Sequence, residues 1–122
     1  MIYDPVIEAE GGKKLSQVMR WSDSDELSRK LVEDVKVASG GFVDYRIVVR
    51  IERDDCPPFL SGFRYDGAGI LEAVRKQKWI EGGDKASYAK IIEENDLARL
   101  VKEKDLAEIW LWGSPGFHWD EY

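Results

Sequence analysis

Residues 42–53, FVDYRIVVRIER, constrain the fold more than any other stretch of the chain. Val43, Tyr45, Ile47, Val49 and Ile51 point one way; Asp44, Arg46, Val48, Arg50 and Glu52 point the other. A period of two with β-branched residues predicts a strand with one buried face. A strand covered on both faces lacks such a polar row. This one therefore lies at a sheet edge, or its second face lines something polar. Asp54-Asp55-Cys56-Pro57-Pro58 ends it, because proline has no N–H to donate.

What precedes the strand is an amphipathic helix. Leu27, Leu31, Val32, Val35 and Ala38 form one helical stripe. Asp23 with Glu26 three residues on marks its start, with Ser22 and Ser24 as rival caps, and Gly40-Gly41 its end. The helix is predicted from about Asp25 to Ala38. Upstream, Ile2 to Ile7 reads as a strand broken at Asp4-Pro5, or as an edge strand. Leu15, Val18 and Met19 suggest one or two helical turns over Lys14 to Arg20. Downstream, Ile70, Leu71 and Val74 mark a helix ending near Lys78, and Glu81 to Asp84 a turn. Tyr88, Ile91 and Ile92 share one face, while Leu97, Leu100 and Val101 share another. The two stripes do not line up, so two short helices are expected, broken at Asn95-Asp96. Ala107 to Trp112 is nearly all apolar, as in a central strand covered on both faces.

The order is strand, helix, strand, helices, strand. That alternation predicts an α/β fold with a small, mainly parallel sheet, right-handed crossover helices and a layered arrangement, like half of a Rossmann or flavodoxin fold. At 122 residues, one domain over residues 1–122 is expected. The single cysteine excludes an internal disulfide. Cys56 precedes two prolines without a cationic neighbour and is expected to be inert. No apolar run approaches the ~20 residues of a membrane span, and no signal-peptide pattern opens the chain. With 24 acidic against 18 basic residues, the net charge of −6 and the absence of a basic stripe argue against nucleic acid.

Candidate site residues cluster in two glycine-containing loops that follow strands, where open parallel sheets place their ligands. In Ser61 to Gly67, with Phe63 alongside, Arg64 could grip a carboxylate or phosphate and Tyr65 could stack on a ligand or donate a proton. The plainer alternative packs the aromatics in the core and ties Arg64 in an ion pair. In the last loop, Gly113 and Ser114 could offer backbone amides to an oxyanion, with His118, Asp120 and Glu121 for acid–base work. Ser114 lacks a nucleophile-elbow context, and no second histidine completes a zinc site. The alternative here is a turn followed by a solvated tail. Asp44, Arg46, Arg50 and Glu52 form either a recognition face or a charged edge. Trp110 and Trp112 are expected to pack under a helix; Trp21, Trp79 and Trp119 stand in loops.

The segments DPVIEAEGGKKLSQVMRW, ASGGFVDYRIVVRIERDDCPPFLSGFRYD, SYAKIIEENDL and EIWLWGSPGF resemble the opening part of an uncharacterised, mostly exported bacterial family. The corresponding family pieces read G-G-x-[KR]-L, S-G-G-[YF]-V-x-Y, D-G-F-R-Y and [DE]-V-W-[LV]-[FW]-G-x-P. The likeness runs in order along nearly the whole chain. It implies an extracellular protein, a cytoplasmic one being expected otherwise, and a chain corresponding to the N-terminal part of a longer one. It carries no activity, and Ser61 stands where the family tends to have aspartate.

Three functional expectations follow. The first is a binding module for a small molecule or protein partner, with its working face at the carboxyl ends of the strands and Phe63, Arg64, Tyr65, Gly113, Ser114 and His118 lining it. The second is a fragment of a hydrolase using His118 with Asp44, Asp120, Glu121 or another acid. The third is a structural domain that forms a homodimer through the sheet edge. No cofactor and no metal is expected.

Overall fold

The computed structural model describes residues 1–80 and 83–119. The chain mixes helices with a small parallel sheet. Its elements are β1 (Ile2–Tyr3), β2 (Val6–Ile7), β3 (Lys13–Lys14), α1 (Leu15–Met19), α2 (Ser24–Ala38), β4 (Glu52–Arg53), α3 (Gly67–Lys76), α4 (Tyr88–Glu94) and α5 (Leu97–Lys104). Single 3₁₀ turns occupy Glu8–Glu10 and Pro115–Phe117.

β1 is the organising strand. It pairs in parallel with β4, Ile2 against Glu52 and Tyr3 against Arg53. The ladder continues as Ile2 N donates to Ile51 O at 2.8 Å and Asp4 N to Arg53 O at 2.9 Å. On its other edge Ile2 bridges Trp112, also in parallel. There Trp112 N donates to Met1 O at 3.0 Å and Tyr3 N to Trp112 O at 2.9 Å. The first strand is therefore central, not an edge, and Pro5 falls just past its pairing. β2 and β3 form a separate antiparallel hairpin. Its turn uses Gly11 and Gly12, both at φ +73°, a conformation that glycine adopts cheaply.

Two predicted strands are much shorter than the sequence pattern. From Val43 to Arg50 the chain runs without turn or bend, yet no strand forms. Ala107 to Trp112 contributes a single bridge, and Ala107, Glu108 and Ile109 are exposed, so this stretch is not a strand covered on both faces. The reason is the same for both. A strand needs a neighbour to pair with, and β1 offers one only from Met1 to Asp4.

Helix starts follow side-chain capping. Asp23 accepts from Glu26 N at 2.9 Å and begins α2. Asp66 accepts from Gly69 N at 2.7 Å and begins α3, three residues earlier than the apolar stripe implied. Gly67 is required there, because a Cβ would run into the backbone carbonyl of Val6. The break between α4 and α5 falls at Asn95-Asp96 as expected, with Asp96 at φ 49°.

The core joins Tyr3, Ile7, Leu15, Cys56, Ile70, Leu71, Val74, Ala86, Ile91, Leu97 and Phe117. None of these comes from residues 21–50. Among its described residues α2 buries only Ser28, while Leu27 and Leu31 of the apolar stripe are exposed.

Candidate functional site

The two loops singled out by sequence come to the same end of the sheet. Residues 84–87 stitch them together: Leu60 N donates to Lys85 O at 2.9 Å, and Ala86 N to Phe117 O at 3.1 Å. Phe59 and Ala86 form an antiparallel bridge. This end carries most of the aromatic packing. Phe63 and Tyr65 meet edge to face at 4.9 Å, and both lean on the fully buried Phe59 at 5.8 and 5.7 Å. The Tyr65 hydroxyl accepts from Ile80 N at 3.1 Å. Arg64 spans Asp55 at 3.0 Å and Glu94 at 2.6 Å.

The last loop is equally occupied. Ser114 is buried and accepts from Gly116 N at 3.2 Å, capping the 3₁₀ turn. A Cβ at Gly113 would lie 2.7 Å from the Phe117 ring, and one at Gly116 would lie 2.6 Å from the Trp79 ring. The glycines thus make room for neighbouring rings. His118 sits at φ 49° with its ring edge-on to Trp79 at 6.1 Å. Its Nε2 and the Trp119 Nε1 are buried without a hydrogen-bond partner. Asp44 lies away from His118 and pairs with Lys36 at 3.1 Å. Asp120 and Glu121 lie outside the described residues. Among those described, no group of three or more His, Cys, Asp or Glu side chains could hold a metal ion.

A hollow lies elsewhere in the fold. A groove of about 320 Å³ opens at the amino ends of the strands. It is lined by none of the six expected site residues. One wall is residues 44–51 and the other residues 104–110, with Leu97 and Leu100 of α5 below and Met1 at the inner end. Two features fix its width and its sides. Tyr45 and Trp110 meet across it, rings perpendicular at 5.4 Å. The Tyr45 hydroxyl and the Trp110 Nε1 both donate to the Glu108 carboxylate. The two donors, Tyr45 first and then Trp110, hold the Glu108 carboxyl below its usual range, and the bond to Glu108 pushes the Tyr45 phenol up.

On the other side α2 is held to the first wall by charge. Arg50 donates to Asp25 at 2.7 Å and to Glu52 at 2.8 Å, and Lys36 pairs with Asp44. Such exposed pairs contribute ~0–1 kcal/mol each. Asp44 and Arg50 of the polar row therefore face α2. Met1 donates its ammonium to Trp110 O at 2.7 Å; burial and then the Arg50 charge lower its pKa. Ile47 and Val48 in its lining stay exposed.

Sequence reasoning missed Tyr45, Glu108 and Trp110 as a set because they meet only through the fold. The signal in hand was the alternation itself, which marks residues 43–51 as a strand without naming its neighbour. No family model, curated protein or solved structure matches the chain.

Proposed function

We propose that this protein is a partner-binding module whose working face is the groove between residues 44–51 and 104–110. The observation that carries this reading is the backbone of those walls. Among the described residues, the N–H groups of Asp44 to Arg50 and of Ala107 to Leu111 donate to no other group. Backbone donors and acceptors are obligatory hydrogen-bonding groups, so two unpaired edges facing one apolar floor invite an occupant. The proposal includes a layered α/β arrangement with right-handed crossovers. It also includes kinship with the exported bacterial family, supported by the ordered motifs quoted above.

The test is selection of binders from a displayed peptide library, followed by amide-shift mapping on labelled protein. Shifts at Asp44 to Arg50 and Glu108 to Leu111 are expected. An Ile47→Glu, Val48→Glu variant that keeps its fold should bind at least tenfold more weakly. Binders that leave both walls unperturbed overturn the reading.

A second reading keeps the carboxyl-end face with Phe63, Arg64, Tyr65, Gly113, Ser114 and His118. One observation favours it: the orphaned His118 Nε2 and Trp119 Nε1. A buried group left unpaired costs ~1–3 kcal/mol, which a ligand supplying its partner would recover. Shifts confined to residues 113–119 would select this reading over the first.

A further inference from the structure

We propose that the occupant of the groove is an extended polypeptide strand from a partner, lying in line with β1 and parallel to both walls, hydrogen-bonded to each. This rests on the groove being the working face and names what it takes.

β1 already makes the double pairing that the groove leaves unmade. At Ile2 and Tyr3 the strand bonds to residues 51–53 on one side and to Trp112 on the other. Beyond Met1 the same two segments continue outward, and residues 44–49 and 107–109 make no backbone hydrogen bond among the described residues. Neither turns nor bends over Val43 to Ile51 or Glu108 to Leu111. One strand between two others separates them by two spacings of about 4.8 Å, roughly 10 Å.

Parity sharpens the inference. Ile51 offers its carbonyl to β1, and Trp112 offers both its N–H and its carbonyl. Successive backbone groups alternate direction along a strand. Stepping by two, Tyr45, Ile47 and Val49 on one wall, and Glu108 and Trp110 on the other, turn their backbone groups into the groove. Trp110 O already accepts there, from the Met1 ammonium. Those five residues are what an added strand would read.

The two faces set the side-chain pattern. Leu97, Leu100 and the Tyr45–Trp110 pair form an apolar floor, while Asp25 and Ser28 of α2 present polar atoms opposite. An entering strand therefore carries apolar side chains at every second position and polar ones between. Main-chain bonds supply affinity in such strand addition, and the alternate pockets supply selectivity.

The test uses a short synthetic peptide alternating valine with threonine and lysine, titrated against the full chain and followed by fluorescence anisotropy and amide exchange. Binding is expected to slow exchange at Ile47, Val49 and Trp110. N-methylation of alternate peptide nitrogens should weaken binding at least tenfold. Proline removes a backbone N–H, so Ile47→Pro should weaken binding at least tenfold too. Val48→Pro, whose N–H points away, should leave it within about twofold. Neither N–H is bonded in the free protein, so neither proline removes a native hydrogen bond. If groove-binding peptides tolerate N-methylation, and Ile47→Pro behaves like Val48→Pro, the strand mode is overturned while the groove remains the working face. If no peptide of any kind perturbs the walls, the groove reading itself fails.

Discussion

At the scale of single residues, burial decides chemistry more than residue type does. Cys56 is 1% exposed, and burial pushes its thiol up to about 12. Native protein should therefore resist iodoacetamide at pH 8, while urea-unfolded protein should be alkylated fully, as mass spectrometry can read. The sign of the linked stability follows. A thiol raised on folding favours the native state fully below its unfolded value, near 9. That contribution is lost as pH climbs from there through about 12. A Cys56→Ala protein should show a shallower fall in thermal midpoint over the same alkaline window. Glycines act through the space they leave. Gly116→Ala would drive a methyl into the Trp79 ring and should cost about 1–3 kcal/mol in urea unfolding, with no measurable change if that ring swings aside.

At the scale of elements, the contrast is between helices that bury their stripes and one that does not. Leu15 in α1 is 1% exposed and Leu31 in α2 is 39% exposed. Leu15→Ala should cost about 2–5 kcal/mol, whereas Leu31→Ala should stay near the ±0.5 kcal/mol of surface changes. Equal losses in urea titrations would mean that α2 packs as tightly as α1. The β3–β4 junction depends on pH. Arg50 first, then Lys14, hold the Glu52 carboxyl below its ordinary value of 4.5. A lowered carboxyl stabilises above its unfolded pKa, and that support fades as pH falls through the folded one. Glu52→Gln should therefore flatten the acid limb of the stability curve between about pH 5 and pH 3.

Elements are also where the sequence was readable and where it stopped. The start and end of α2, the break at Asn95-Asp96 and the parallel pairing followed from capping residues, stripe phase and element order. Each of those signals is local, or needs only the order of the chain. The length of the strands did not follow, because pairing depends on what lies alongside. Ile2–Tyr3 is short, so the long alternating run beside it stays unpaired. Arg64 and Ser114 illustrate the same limit. Their side chains suit ligands, but Asp55, Glu94 and the Gly116 amide reach them first.

At the scale of the whole molecule, the core is confined to residues outside 21–50, and residues 44–50, between α2 and β4, make no backbone hydrogen bond among the described residues. Regions with few buried contacts and unprotected amides open at low free energy. Amides of Asp44 to Arg50 should exchange at close to unfolded rates, while those of Ile70 to Val74 should exchange only with global unfolding. Slow exchange across the first segment in dilute free protein would show that it is already covered.

The central place of β1 has a consequence for the order of events during synthesis. Its partners lie about fifty and one hundred and ten positions further along the chain, at Glu52 and Trp112. During synthesis the second edge of β1 thus stays open until Trp112 has left the ribosome. Loop closure over such separations slows folding. Until then the nascent chain carries a β1 that β4 alone can pair, exposing its other edge to chaperones and to neighbouring chains.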